Sequence, residues 1–241
     1  MRLLQKKIYI PFLVLLALLL TSYSLFQISK SRTFQFFGEL ISRVDTEEKV
    51  VAITFDDAPS ADTTEEVLNF LAEKNVKATF YVIGESLERY PDEGKKIVEQ
   101  GHELGNHSYS HQRFLLKSQD FIQNEIEKTN QLIRNAGYKG EITFRPPNGK
   151  KLFGLPWYLS QNKIKTIMWD VEPDTYYPGN AELIEKYALD TTKPGSIILL
   201  HPFCGDACLA DREALPKIID GLTAKGYRFV AINQLMQFSE K

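Results

Sequence analysis

Two aspartates stand side by side at Asp56 and Asp57, and two histidines stand four residues apart at His107 and His111 in the stretch GNHSYSH. Adjacent carboxylates repel each other unless a cation or an arginine balances them. A helical turn through the second stretch would bring both imidazoles to one side, as two ligands of one ion require. One aspartate can then complete a three-ligand set that leaves positions open for water and substrate, and the other is free to act as a base. Farther along come Arg145, the acidic cluster Asp170, Glu172 and Asp174, and His201. A histidine with an ordinary pKa of about 6.5 suits proton donation near neutrality. His102 has no second histidine at metalloprotease spacing and reads as structural.

The groups must be positioned by a series of short apolar runs: VVAITF (50–55), ATFYVI (78–83), HELGN (102–106), ITF (142–144), IKTIMW (164–169), SIILL (196–200) and RFVAI (228–232). Helical patterns lie between them. Residues 63–74 open with Thr-Thr-Glu-Glu in the manner of a capping box, and 91–100 start on a proline. Residues 120–136 end at Gly137, and 211–225 end at Gly226. This alternation predicts parallel strands joined by crossover helices. The polar groups fall just past the runs: the aspartate pair after the first, the histidines after the third, Arg145 after the fourth, Asp170 to Asp174 after the fifth and His201 after the sixth. In a parallel α/β barrel all such positions share one rim.

The chain has 241 residues, of which 43% are hydrophobic and 25% charged, the balance of a globular protein with one large domain. Its net charge of −2 and pI near 6.1 carry no nucleic-acid footprint, and no nucleic-acid partner is expected. Residues 8–26 contain no charge and follow Arg2, Lys6 and Lys7. A bilayer needs roughly 20 such residues, whereas the strongly apolar part, 11–20, has the length of a signal-peptide core. Both readings export the rest of the chain. An uncleaved anchor is preferred because no A-x-A site follows, with secretion the outcome if cleavage occurs near Thr21, Ser22 or Ser24. Lys30 and Arg32 on the far side leave only a weak positive-inside bias. The expected division is a basic cytoplasmic tip (1–7), a signal anchor or signal peptide (8–26), a stalk or lead-in segment (27–47) and a domain (48–241) in the periplasm or outside the cell. In an oxidising compartment Cys204 and Cys208, the two cysteines of the chain, are expected to form a local disulfide in the loop after His201.

TFDDAP (54–59), HSYSH (107–111), RPPNG (145–149), WDVEPD (169–174) and LLH (199–201) resemble, in order and approximate spacing, the five motifs of the polysaccharide deacetylases, the NodB-homology group or carbohydrate esterase family four. The resemblance covers about residues 48–240. It implies a distorted (β/α)7 barrel and metal-assisted removal of acetyl groups, N-acetyl first, from an extracytoplasmic polysaccharide or oligosaccharide. Asp57, His107 and His111 match the metal triad, Asp56 the general base, His201 the general acid and Arg145 the partner of the base. Asp174 is the first candidate for orienting the acid, with Asp170 and Glu172 the others. The RPPNG loop would serve the oxyanion through a backbone N–H near Asn148, since Pro147 has none. Trp169 and Tyr176, with Trp157, Tyr158 and Tyr177, offer flat faces for sugar rings. Zn2+ is the first choice of ion, with Co2+, Ni2+ or Fe2+ compatible with the same donors. The chain departs from the family at Ala58, where glycine is common and positive φ would be costly for alanine, and at Asn148, where tyrosine is usual.

Three other readings compete: a catalytically silent glycan-binding module on the same barrel, a hydrolase of small cyclic amides from the same superfamily, and a non-haem iron oxygenase. The presence of both Asp56 and His201 argues against the first, and the export segment against the second. The antiparallel double sheet usual for the third conflicts with the crossover pattern. The partners expected are an acetylated glycan and, through the N-terminal segment, a membrane.

Overall fold

A computed structural model describes residues 2–239, with side chains described from Pro11 onward. Among the described residues seven strands are formed: β1 (Leu40–Ile41), β2 (Val50–Ala58), β3 (Thr79–Val82), β4 (Glu103–Asn106), β5 (Thr166–Ile167), β6 (Ile197–Leu200) and β7 (Arg228–Phe229). Every pairing between them is parallel. A regular ladder runs in the order β4-β3-β2-β6, β7 pairs with the start of β2, and β1 pairs with β5. The other side of the ring is thin. Single bridges join Asn106 to Phe144, Phe144 to Thr166, and Val171 to Ile198.

Strand β2 shows why its run carries no alternation of apolar and polar residues: both of its faces are covered, as in parallel sheets generally. Ile53 and Phe55 face outward into a core with Val67, Leu68 and Leu71 of the helix Thr64–Glu73 and with Leu215 and Ile218 of the helix Leu209–Ala224. Val50 and Ala52 face inward with Tyr81, Ile167, Trp169 and Leu199. The helix Gln119–Asn135 starts where the Ser118 side chain accepts the Phe121 N–H, and its Ile122 and Ile126 cover Phe144.

Two expected details differ. The run 142–144 contributes only two isolated bridges, both at Phe144, because Pro146 and Pro147 follow at once and have no N–H to continue a ladder. The capping box at 63–66 does not form. Thr63 makes no side-chain cap bond, and the Thr64 hydroxyl instead donates to Ser60 O at 2.7 Å.

At the N-terminus a helix runs from Arg2 to Ser29 through Pro11. Its part Pro11–Ser29, with mean hydropathy 1.9 and 6% buried, is long and apolar enough to cross a membrane. The segment 27–47, expected as a stalk or lead-in, is packed on the domain. Ser29 O accepts the Lys151 N–H at 2.9 Å and Gly195 O accepts that of Val44 at 2.9 Å. Val44 is buried with Ile167 and Met168, so this segment covers the edge of β5 that would otherwise face solvent.

Candidate active site

Strand β2 delivers both aspartates to one place through an irregularity at its end. Successive strand residues face opposite sides of a sheet, and an inserted residue undoes that alternation. The β2–β3 register shifts between Asp56 and Ala58, and Asp57 takes left-handed backbone with φ +68°. Aspartate is among the residues that tolerate this region. Asp56 Oδ2 and Asp57 Oδ1 then both face His107 Nε2, at 3.5 and 3.7 Å. The strained position is therefore Asp57 and not Ala58.

His107 and His111 meet, with ring centres 5.0 Å apart, but not through a helical turn. Their segment is a loop in which Ser108 and His111 both have positive φ. Glu125, buried on the helix Gln119–Asn135, accepts from Tyr109 N at 3.0 Å, Ser110 N at 2.8 Å and Ser110 Oγ at 2.8 Å. The Asn106 side chain accepts Ser108 N at 2.8 Å. These contacts, which the motif alone does not announce, hold the loop open around the two imidazoles.

His107 Nδ1 lies 2.7 Å from Arg145 O and donates to it, which leaves the Nε2 lone pair pointing at the aspartates. His111 Nε2 is 3.4 Å from Asp57 Oδ1. Burial, and next the charge of His107, lower the pKa of His111 and so favour the neutral ligand form. Asp57 Oδ1 is buried with no hydrogen-bond partner among the described residues. One ligand atom from each of Asp57, His107 and His111 lies within 4.8 Å of the other two. Lone pairs converging on one point around an orphaned carboxylate oxygen fit a divalent cation, and three protein ligands leave further coordination positions open.

Asp56 is 2% exposed and is held by Arg145, which is wholly buried. Arg145 Nη1 donates to Asp56 Oδ1 at 2.7 Å and to Thr54 Oγ1 at 2.9 Å, while Nη2 donates to Met168 O at 3.2 Å. The guanidinium lies 4.0 Å from the centre of the Tyr81 ring. Tyr81 in turn lies against Gly105, where a Cβ would come within 2.4 Å of Cε1. Burial by itself would raise the Asp56 pKa, but Arg145, then His107 and His201, outweigh it and hold the carboxyl below its usual range.

His201 sits across the cavity on Asp174, whose Oδ2 accepts from His201 Nδ1 at 2.7 Å and from His201 N at 2.9 Å. Burial lowers the His201 pKa, but the hydrogen bond and charge of Asp174, followed by Asp56 and Asp57, outweigh it and bring the imidazole up to about 9. Asp211, on the helix behind, is pushed up to about 7 by burial and then by the charge of Asp174. The other two acidic candidates point elsewhere. Asp170 accepts from Ser196 Oγ and Ile197 N, both at 2.8 Å, and Glu172 pairs with Arg32. Cys204 and Cys208 are disulfide-bonded in the loop that follows His201.

Asp56, Asp57, His107, His111, Glu172 and His201 line a cavity of ≈ 430 Å³ together with Asn148, Gly149, Met168, Trp169 and Thr175. Asn148 has φ +52° and accepts from Arg113 Nε at 2.9 Å, while Pro147 is buried. Trp169 presents an indole N–H with no partner among the described residues. Tyr176 lies outside the cavity lining, 54% exposed and packed on Tyr187 at 5.4 Å, and Trp157 packs on Phe37. His102 is buried as a structural residue, its Nδ1 accepting from Ala78 N at 3.2 Å, and burial followed by the charge of Lys77 takes its pKa down to about 4.

Residues 43–167 match the polysaccharide deacetylase family model. A peptidoglycan-N-acetylglucosamine deacetylase of Bacillus cereus is 38% identical over 193 residues, 79% of this chain and 70% of that one. The chain belongs to the polysaccharide deacetylase family. Among solved structures, a peptidoglycan N-acetylglucosamine deacetylase in complex with 4-naphthalen-1-yl-N-oxidanyl-benzamide superposes on this deacetylase with TM-score 0.77 and 33% identity, covering 83% of this chain and 94% of that one. A carbohydrate esterase family four pseudoenzyme from Bacillus anthracis superposes with TM-score 0.74 and 29% identity, covering 83% of this chain and 70% of that one. Fold likeness alone thus does not separate active from silent members, and the weight falls on the side chains in the cavity.

Proposed function

We propose that this deacetylase removes N-acetyl groups from an amino-sugar glycan outside the cytoplasm, with the helix Arg2–Ser29 as its membrane anchor. One observation carries the reading: Asp56 and His201 flank the same Asp57-His107-His111 cluster, and their pKa values are displaced in opposite directions, one down and one up to about 9. A base that is ionised and an acid that is protonated at the same neutral pH is the arrangement that acid–base hydrolysis needs.

Asp57, His107 and His111 would hold the divalent ion, Zn2+ first, with Co2+, Ni2+ or Fe2+ fitting the same donors. When bound, the ion polarises the acetyl carbonyl and acidifies water. Asp56 takes the proton from the attacking water, and Arg145 fixes the carboxylate so that one oxygen stays turned to the cluster. Asn148 lines the cavity, and its backbone N–H is the donor assigned to the developing oxyanion, since that of Gly149 is already given to Pro146 O at 2.8 Å. As the carbon–nitrogen bond breaks, His201 gives its proton to the departing amine, and acetate is released. Asp174 keeps the imidazole in the orientation and charge state for that transfer. An N-acetylglucosamine polymer of the envelope is the substrate class, as the name of the Bacillus cereus relative suggests.

The test is acetate release from N-acetylated chitooligosaccharides and from peptidoglycan by the full chain in detergent, with and without chelator. Asp56→Asn should lower kcat by about 10²- to 10⁴-fold. Undiminished turnover in that variant removes Asp56 as the base, and turnover indifferent to thorough chelation removes the metal.

A further inference from the structure

One wall of the cavity does not belong to the barrel. Lys30 and Arg32, just past the end of the apolar helix, line it beside Asn148, Gly149 and Lys150. The junction is fixed by one backbone and one side-chain contact: Lys151 N donates to Ser29 O at 2.9 Å, and Lys151 Nζ donates to Ser31 O at 2.5 Å. Lys30 Nζ and Lys150 Nζ lie 5.1 and 5.0 Å from the centre of the same Phe26 ring. Arg113 reaches this rim through Asn148. Arg32 is paired with Glu172, yet Lys30, Lys150 and Arg113 have no carboxylate within ion-pair distance among the described residues. Burial, and then the charges of Lys30 and Arg113, lower the pKa of Lys150, as crowding of like charges requires.

We propose that Lys30, Lys150 and Arg113 form an anion subsite at the mouth of the catalytic cavity, and that the acetylated glycan carries a phosphate group that docks there. The proposal rests on the deacetylase reading and narrows its substrate to a phosphate-bearing saccharide presented close to the bilayer. Lys30 and Lys150, which both line the cavity beside Phe26, and Arg113, held to the same loop through Asn148, have no counter-charge and suit the several oxygens of a phosphate, each accepting a charge-assisted hydrogen bond. Their place at the end of the apolar helix is the level at which a saccharide carried on a lipid phosphate exposes that group. Lipid headgroups are a second source of phosphate for a lysine at a helix end. Lys150 argues for the substrate instead, since it comes from the loop that lines the cavity.

The experiment uses the full, metal-loaded chain in phosphatidylcholine vesicles. N-acetylated chitotetraose, with and without a reducing-end phosphate, is titrated by calorimetry, and acetate release is followed in parallel. The phosphorylated chain should bind about tenfold more tightly at low salt, the scale of one or two charge-assisted contacts. That preference should vanish in K30Q/K150Q and shrink as salt is raised. The exposed change Lys30→Glu offers a second route, expected to reverse the preference, and Lys150→Arg should keep it. Equal affinity of the two saccharides for the wild type overturns the subsite even where acetate appears. Tighter binding of the phosphorylated chain without acetate release upholds the subsite and sinks the deacetylase reading instead. If K30Q/K150Q keeps its saccharide preference and loses only affinity for phosphatidylserine vesicles, the lysines serve headgroups and the proposal fails.

Discussion

Asp56 and His201 share a cavity and differ in what holds them: a guanidinium on one side, a carboxylate on the other. The sign of each shift sets one limb of the pH profile. With its folded pKa depressed, Asp56 stays ionised until the pH falls below the ordinary carboxylate value of about 3.9, and the proposed base stays available down to there. With its pKa raised to about 9, His201 stays protonated through neutrality, and activity should fall as the pH rises through that value. Asp174→Asn removes the main cause of the rise, so its alkaline limb should move toward the ordinary histidine range, with kcat at pH 7 lowered and KM little changed. A pH–rate series on the two proteins checks this, and an unmoved limb would leave Asp174 with a structural part alone. The sequence pointed to Asp174 through its motif. All three acids follow one short strand, and what separates them is their hydrogen bonds: Asp174 alone bonds His201, while Asp170 and Glu172 bond elsewhere.

The elements that carry these residues were legible to different degrees, and the reasons are local. Strand β2 was readable because burial on both faces leaves an unbroken apolar run. The bulge at Asp57 was not, because nothing in the letters Asp-Asp-Ala says which residue will take positive φ. The four-residue spacing of the histidines is compatible with a helical turn, but the loop that forms takes its shape from Glu125, on a helix that follows it in the chain. Glu125→Ala would leave two loop amides without their acceptor. Hydrogen bonds to a charged group contribute about 1.5–3 kcal/mol each, so a loss on the order of 3 kcal/mol is expected in urea denaturation. Metal affinity should weaken in parallel, measured by competition with a chromogenic chelator. Unchanged affinity in a folded Glu125→Ala protein would mean that the loop keeps its shape without the clamp.

At the level of the whole molecule, the segment 27–47 belongs with the catalytic body, and its charged residues hid this in the sequence. Lys30 and Arg32 read there as flanks of an export segment, whereas in three dimensions they form a cavity wall. Arg32 stacks over Trp169 at 4.8 Å, and β1 completes the edge of β5. A chain beginning at residue 28 should therefore stay folded and bind metal. One beginning at residue 48 uncovers Ile167 and Met168 and should lose several degrees in Tm along with much of its turnover, which a thermal melt and an acetate assay on the two truncations decide. The backbone bond from Lys151 to Ser29 ties the end of the helix, the proposed anchor, directly to the body. With the helix in a bilayer, the enzyme cannot swing out on a tether to sample the surrounding volume. Its encounters become a search in a plane, counted per unit area of surface, and bulk concentration ceases to be the variable that sets its rate.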